Sequence, residues 1–455
     1  MNSYYIKTFG CQMNEHDSER IAGLLEEKGL RSINDPTSAD VIVLNTCCIR
    51  ENADNKFYGH LGNLKTIKDD NPKQKIVIAG CLAQKEGSEI AKKTPFVDVI
   101  VGTHNLHHIG QLLDESFDSN ETLVEVVDAP ERQDTYFSSD LPALRSNGYS
   151  AWVTIQIGCN NSCGFCIVPS VRGPEVSRPM EEILNEISKL AESGVKEVSL
   201  LGQNVNSYGR DINLAKRQKG EIVAIKPMFA DLLRSIGKIE NIKRVRFTSP
   251  HPKDLRLETV EAMASTSSVC EQLHLPMQSG SDRILSMMRR GYTVDKYLQK
   301  LSMARAAIDD LAVSTDIIIG YPSETDDDFE ETMQAVAEAE FDSAFTFIFS
   351  PRPNTLAATL DDEFVSESKK AERMAKLRVI VERSASQKNK LRVGMKEEVL
   401  VLGESKKDSS SLTGRTRQGK LIHFKKSAKT SDLSAGDFIN VKVIDSSTHY
   451  LFGEI

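Results

Sequence analysis

The stretch Trp152-Val-Thr-Ile-Gln-Ile157-Gly-Cys159-Asn-Asn-Ser-Cys163-Gly-Phe-Cys166 decides how the middle of this chain is read. A run of strand character ends on a glycine and passes at once into three cysteines within eight residues. Five more strand-like runs follow, at Lys196–Leu201, Arg244–Thr248, Gln272–Leu275, Val313–Ile319 and Ala344–Phe349. Helical spacing marks Met180–Ser193, Phe229–Ile239, Arg256–Ala264, Asp282–Arg289, Val294–Ile308 and Thr325–Ala339. Six βα units in succession predict a partial (βα)6 barrel, whose reactive groups lie at the carboxyl ends of the strands. A long charged helix, Ser366–Ala385, closes this central segment, taken as residues 145–385.

Toward the amino end, residues 1–144 alternate in the same way. Tyr4–Thr8, Asp40–Asn45, Lys75–Ala79 and Asp98–Val101 read as strands, with helices at Ser18–Lys28 and Asn52–Lys68. That order predicts an α/β domain with an open parallel sheet. Ala129–Gly148, with Pro130 and Pro142 in it, reads as a linker. Toward the carboxyl end, residues 386–455 are short-stranded, at Glu397–Leu402, Lys420–Phe424, Phe438–Val443 and Tyr450–Gly453, which predicts a small β-barrel.

The whole chain has 455 residues, is 40% hydrophobic and 27% charged, and carries a net charge of −8. It is long enough for several cores. It contains no apolar run long enough to span a bilayer, so no membrane association is expected. The first residues lack the pattern of a secretory signal, and the expected location is a reducing cytoplasm. At this net charge, nucleic acid would have to be met by a local basic patch. One exists: Arg415, Arg417, Lys420, Lys425, Lys426 and Lys429 fall in a stretch without Asp or Glu. A plain solvated face is the competing reading. Phe424 within it could stack on a base or fill the small barrel's core.

Soft thiolates select zinc or iron–sulfur clusters. A structural zinc site needs a fourth Cys or His close by, and after Cys166 the next histidine is His251. Cys159, Cys163 and Cys166 therefore point to a 4Fe–4S cluster with one iron left open to a small molecule. Cys11, Cys47 and Cys81 each follow a predicted strand, at steps of 36 and 34 residues. Such steps return the chain to one end of a parallel sheet, where open α/β sheets bind ligands. Gly10 and Gly80 precede two of these thiols and would allow tight turns. The alternatives are a second three-thiolate cluster or three unrelated buried thiols.

Gly10-Cys-Gln-Met-Asn14, Asn45-Thr-Cys-Cys-Ile-Arg-Glu-Asn-Ala53, Gly80-Cys81, Gly158–Cys166, Arg172-Gly173, Ser177-Arg-Pro179 and Leu275-Pro-Met-Gln-Ser-Gly-Ser-Asp282 occur here in one order. In that order they resemble the radical S-adenosylmethionine methylthiotransferase family over essentially the whole chain, including a terminal segment like a TRAM domain. The residues flanking Cys11 and Cys48 resemble the branch that acts on N6-dimethylallyladenosine next to the anticodon of tRNA. Sister branches act on threonylcarbamoyl-adenosine or on a ribosomal-protein aspartate. A non-catalytic zinc protein that binds RNA is the rival of another class.

The resemblance implies two 4Fe–4S clusters with three Cys ligands each, at Cys159, Cys163 and Cys166 and at Cys11, Cys47 and Cys81, together with S-adenosylmethionine. Cys48 departs from the family pattern, and Cys47 is taken as the ligand. One S-adenosylmethionine would supply a methyl group and a second would yield the radical that activates carbon 2 of the adenine. Phe165, Gly202, Gln203, Asn204, Gln278, Ser279, Gly320 and Glu324 are the candidate cofactor contacts, though ordinary turn chemistry competes for most of them. Arg172 and Arg178 could pair with a carboxylate or a phosphate, or be solvated. Expected partners are the tRNA and a flavodoxin- or ferredoxin-like electron donor, with the chain itself a monomer.

Overall fold

The computed structural model describes residues 1–47, 51–119, 121–127, 142–145, 147–360, 363–427, 430 and 432–455, without the side chains of 51–56. Cys48, Lys429 and most of the expected linker lie outside the described residues. The chain divides into two compact units. Met1–Ser146, Gln156–Ser162 and Cys166–Arg178 form the first; Asn147–Ile155, Cys163–Phe165 and Pro179–Ile455 form the second.

The first unit is built on a six-stranded, all-parallel sheet. Its strands are β1 (Ser3–Phe9), β2 (Arg31–Ser32), β3 (Val41–Thr46), β4 (Lys75–Gly80), β5 (Val99–Val101) and β6 (Leu123–Glu125), in the order β2-β1-β3-β4-β5-β6. Every residue of β3 and β4 is buried, as a parallel sheet covered on both faces requires. Ile42, Leu44, Ile76 and Ile78 point to one core, while Val41, Val43 and Val77 point to the other. Each such side chain contributes about 2 kcal/mol by leaving water. The helices Gln12–Glu27 and Cys81–Lys93 start directly from the carboxyl ends of β1 and β4. The second of these escaped the sequence reading because it is polar, contains Gly87 and is kinked at Glu86. The two-residue β2 and three-residue β6 are too short to leave a periodic signal.

The expected strand Trp152–Ile157 is two strands. β7 (Ser150–Thr154) joins the second unit, whereas β8 (Gln156–Ile157) pairs antiparallel with β9 (Val176–Ser177) in the first. Ile167 and Val171, between them, pack on the core formed by Ile42, Leu44 and Ile78.

In the second unit β10 (Glu197–Leu201), β11 (Arg244–Phe247), β12 (Gln272–His274), β13 (Ala312–Ile319) and β14 (Ser343–Ile348) follow β7. They form two parallel three-stranded sheets, β11-β10-β7 and β12-β13-β14, joined by a bridge from Val245 to Val269. This is the expected partial barrel in chain order. Alternate residues such as Val153, Val198, Val245, Leu273 and Val313 pack against the surrounding helices. Their neighbours Glu197, Arg244, Arg246 and Gln272 therefore face the barrel interior. Helix Met180–Glu192 buries Ile183, Ile187 and Leu190 on one stripe. Helix Asp326–Ala339 begins in a capping box between Thr325 and Asp328.

The carboxyl-terminal strands β15 (Lys396–Glu404), β16 (Ser411–Thr416), β17 (Leu421–Lys425), β18 (Phe438–Ser446) and β19 (Tyr450–Glu454) close into a barrel in the order β15-β16-β17-β19-β18. β16 was not foreseen, since Ser411-Leu-Thr-Gly-Arg-Thr416 is rich in small polar residues. Phe424 is 2% exposed in the barrel core, so it is not a base-stacking residue.

This barrel belongs to the second unit, and the basic segment explains why. Arg415 pairs with Glu197, Arg417 with Glu271 and Lys420 with Asp342. Arg246 donates to Glu197 (2.9 Å) and to the carbonyl of Thr416 (2.8 Å). The fully buried Arg244 reaches the carbonyls of Arg415 (2.8 Å) and Glu398 (2.7 Å). Three cations expected to face RNA thus dock the small barrel on the amino ends of the βα strands.

Candidate functional site

The registers Phe9↔Thr46 and Thr46↔Gly80 align the ends of β1, β3 and β4. Cys47 and Cys81 come one residue after those aligned positions; Cys11 comes two after, with Gly10 taking up the extra residue. Gly10 has φ +139°, and a Cβ there would lie 2.3 Å from the Cβ of Cys47. Gly80 has φ +94°, and its Cβ would lie 2.3 Å from Asn45 Oδ1. Neither position tolerates a side chain. The three thiols expected at one sheet edge are thereby placed at the carboxyl ends of neighbouring strands.

A buried amide frame holds this edge. Asn14 Nδ2 donates to Asn45 Oδ1 (3.2 Å) and to the carbonyl of Thr46 (3.3 Å). Asn45 Nδ2 donates back to the carbonyl of Asn14 (2.8 Å) and to Ser18 Oγ (2.9 Å). The Asn residues that flank Cys11 and Cys47 in sequence thus brace the start of helix Gln12–Glu27 against β3. Cys11 Sγ lies 3.3 Å from Asn14 Oδ1. Its hydrogen bond with Cys47 pulls the Cys11 thiol down to about 6 against the cost of burial, and the charge of Arg172 helps.

Arg172 ends helix Val168–Arg172 and is 6% exposed. Its Nη2 pairs with Asp17 Oδ2 at 2.7 Å, and its Nε and Nη2 both lie 3.3 Å from Cys81 Sγ. Of the partners the sequence offered, the carboxylate is the one found, and the side chain is not solvated. Arg178 is fully buried as well. Burial opposes the charge of Arg172, but Asp17, Cys81 and Cys11 hold it protonated.

The second cysteine set is carried by one loop. In the first unit, the Cys159 N–H donates to the Gly173 carbonyl (3.1 Å), and Asn161 N–H points at Cys159 Sγ (3.4 Å). Cys166 opens the segment that leads to Arg172. In the second unit, Arg290 Nη1 donates to Cys163 Sγ (3.3 Å), and its Nε lies 3.2 Å from Tyr292 Oη. Gly164 N–H donates to the Met288 carbonyl (2.9 Å), and Phe165 packs beside Ile284, Met288, Tyr321 and Phe349. Among the described residues, no three His, Cys, Asp or Glu side chains converge on a single-ion position.

At the strand ends, Gly202 is buried after β10. Gln203 and Gln278 each carry a buried side-chain oxygen without a hydrogen-bond partner among the described residues. Asn204 is engaged by Asp254 (2.8 Å) and the His251 N–H (3.3 Å). Ser279 accepts from the Ser281 N–H (3.2 Å). Glu324 accepts from the Gly320 N–H (2.8 Å) and pairs with Arg373 (2.7 Å), while its other oxygen is buried without a partner among the described residues.

Three family models match the chain: the Uncharacterized protein family UPF0004 over residues 3–102, the Radical SAM superfamily over 153–336 and the TRAM domain over 390–455. The tRNA-2-methylthio-N(6)-dimethylallyladenosine synthase of Mycobacteroides abscessus is 45% identical over 100% of this chain and 88% of its own. The protein of that name from Acidothermus cellulolyticus is 47% identical over 99% of this chain and 88% of its own. This chain belongs to the tRNA-2-methylthio-N(6)-dimethylallyladenosine synthase family. Among solved structures, the radical S-adenosylmethionine methyltransferase TsrM from Kitasatospora setae shares the fold. Its TM-score is 0.53 at 13% identity, covering 79% of this chain and 75% of TsrM.

As a radical S-adenosylmethionine protein, this synthase-family chain has a chemistry built on a 4Fe–4S cluster and S-adenosylmethionine. The residues present fit both groups. Cys163 already receives a buried guanidinium donor, as a thiolate cluster ligand would. The unpartnered oxygens of Gln203 and Gln278 match a cofactor that brings ammonium and hydroxyl donors. Reading the sequence alone missed Asp17 and Arg290, because each acts on a partner more than a hundred residues away.

Proposed function

We propose that this chain replaces the hydrogen on carbon 2 of N6-dimethylallyladenosine, next to the anticodon of tRNA, with a methylthio group. The observation that carries the reading is the gathering of Cys11, Cys47 and Cys81 at one sheet end, in a chain whose second cysteine set has radical S-adenosylmethionine spacing. Cys159, Cys163 and Cys166 would hold the cluster that opens the reaction, and Cys11, Cys47 and Cys81 a second 4Fe–4S cluster. When bound, these groups and S-adenosylmethionine supply the carbon-centred radical, the sulfur and the methyl group. The chain's own part is to hold three thiols on each site, to leave one position of each open, and to keep water out with the cores around them.

Phe165, Gly202, Gln203, Asn204, Gln278, Ser279, Gly320 and Glu324 would surround the cofactor. Gln203 and Gln278 would make direct hydrogen bonds, and Asn204, Ser279 and Gly320 would shape the turns. For RNA, the cations left outward are Lys425 and Lys426, which make exposed pairs with Asp408 and Glu404. Beside them on the outer face of β17 and β19, His423, Tyr450 and Phe452 stack edge to face at 5.2 and 5.3 Å. Such a face suits phosphates together with unstacked loop bases. The reading places the chain, as a monomer, in the cytoplasm with its tRNA and a flavodoxin- or ferredoxin-like donor. No helix among the described residues is long and apolar enough to cross a membrane.

Nucleoside mass spectrometry of tRNA from a strain lacking the protein tests this reading. The 2-methylthio derivative of N6-dimethylallyladenosine should vanish and its precursor accumulate. Recovery should follow the wild-type chain and not Cys81→Ala. An unchanged adenosine pattern, or a loss confined to threonylcarbamoyl-adenosine, would reject it.

A further inference from the structure

Arg172 is the one described cation seen in direct contact with a thiol of the sheet-edge triad. Its guanidinium bridges two of the elements that carry that triad. On one side it meets Cys81, the first residue of its helix; on the other it meets Asp17, six residues beyond Cys11 on helix Gln12–Glu27. All three side chains are more than nine-tenths buried. A buried guanidinium with one ion pair and two N–H···S contacts is costly to desolvate and is retained only where its partners compensate.

Neighbouring histidines do not share its charge. His16 and His104 are both buried, and burial together with nearby arginines, Arg172 among them, holds both rings neutral. Asp17 meets Arg172 from helix Gln12–Glu27, Glu19 lies 3.6 Å from His16 Nδ1, and the other charged neighbours of His16 are Arg20, Arg145 and Arg178. Within hydrogen-bond distance of the Cys11, Cys47 or Cys81 sulfur, the positive charge seen among the described residues is Arg172.

We propose that Arg172 is a positioning residue that sets the reduction potential of the iron–sulfur group held by Cys11, Cys47 and Cys81. This rests on the reading of that triad as a cluster site. Reduction adds a negative charge to the group. A fixed cation and two N–H donors on one ligand sulfur stabilise the reduced state more than the oxidised one, and so raise the potential. Asp17 aims the fork, so that both donors fall on one sulfur.

The test uses the full chain with Cys159, Cys163 and Cys166 changed to Ala, reconstituted anaerobically, so that one cluster signal remains. Iron content and the midpoint potential followed by electron paramagnetic resonance are read for the parent, Arg172→Gln, Arg172→Lys and Asp17→Asn. A parent that binds no iron would defeat the cluster reading itself, separately from the role of Arg172. If the parent binds iron, Arg172→Gln should hold it at a lower potential. The reduced-to-oxidised ratio at fixed potential should fall tenfold or more, which is about 59 mV for a one-electron couple. Arg172→Lys keeps the charge without the fork and should lie between Arg172→Gln and the parent. Asp17→Asn should move the potential without removing the cation. Should Arg172→Gln fail to bind iron, Arg172→Lys decides: iron bound at a lowered potential supports the proposal. Iron bound at the parent potential in any Arg172 variant overturns it. So does loss of iron from both variants: at an unchanged melting temperature it would mark Arg172 as holding the group rather than tuning it, and at a lowered one as a plain structural support.

Discussion

The two cysteine sets are assembled in opposite ways. Cys159, Cys163 and Cys166 occupy eight consecutive residues, so the covalent chain alone keeps them together. Cys11, Cys47 and Cys81 are separated by whole βα units and meet only because β1, β3 and β4 pair in one register. A one-residue slip in that register would turn a thiol to the other face. The contiguous set is therefore local and tolerant, and the dispersed set reports on the integrity of a folded sheet. Yet both have acquired the same device, a buried arginine donating to one sulfur: Arg290 on Cys163 and Arg172 on Cys81.

The comparison is most directly broken by removing one thiol from each set. Cys163→Ala should abolish 5′-deoxyadenosine formation entirely while the chain still binds about four of an expected eight irons. Assays of S-adenosylmethionine cleavage and of iron would show it, and normal cleavage would take Cys163 out of its role. Cys81→Ala should do the reverse, leaving cleavage in place and eliminating the methylthio nucleoside. Persistence of that product in the mass spectrum would show that the sheet edge is not the sulfur site.

A subtler change tests the claim that the dispersed set depends on register. Gly80→Ala puts a Cβ 2.3 Å from Asn45 Oδ1 and 2.7 Å from the Thr46 carbonyl at a positive φ. It should cost about 1–3 kcal/mol of stability. It should also lower iron occupancy of the sheet-edge site while leaving cleavage by the loop site intact. Calorimetry and iron analysis read both effects, and equal loss at the two sites would erase the distinction.

The smallest effect concerns protons. With the Cys11 thiol lowered to about 6, the metal-free chain should carry a thiolate there at pH 7. Its alkylation should be fast at pH 7 and slow as the pH drops through 6. The buried Cys270, whose thiol burial pushes up, should stay unreactive across that range. Peptide mapping after brief iodoacetamide treatment distinguishes the two, and equal labelling would contradict it.

Much of the architecture could be read from the sequence because hydrophobic alternation is a local property. The buried β3 and β4, the six βα strands and four strands of the small barrel all declare themselves within a few residues. Elements whose formation depends on distant partners did not. β8 leaves the barrel to pair with β9, and β16 is recruited by its neighbours despite its polar composition. The site divides along the same line. The cysteines were legible, as were the glycines beside them and a carboxylate partner for Arg172, but the contact of Arg172 with Cys81 and the part played by Arg290 were not. The basic segment is the sharpest case. Its charge was plain, but the acids that neutralise Arg415, Arg417 and Lys420 sit at Glu197, Glu271 and Asp342, far away in the chain.

That docking has an outcome for traffic through the βα barrel. The turn from Thr416 to Lys420 presses against Arg246, and Gly419 sits so close to Gln272 that a Cβ there would lie 2.6 Å from it. The amino-terminal mouth of the barrel is corked by its own carboxyl-terminal module. The carboxyl ends of the strands stay clear of this plug, and a side chain added at Gly419 would strain the plug's seat on Gln272 before it disturbed any thiol.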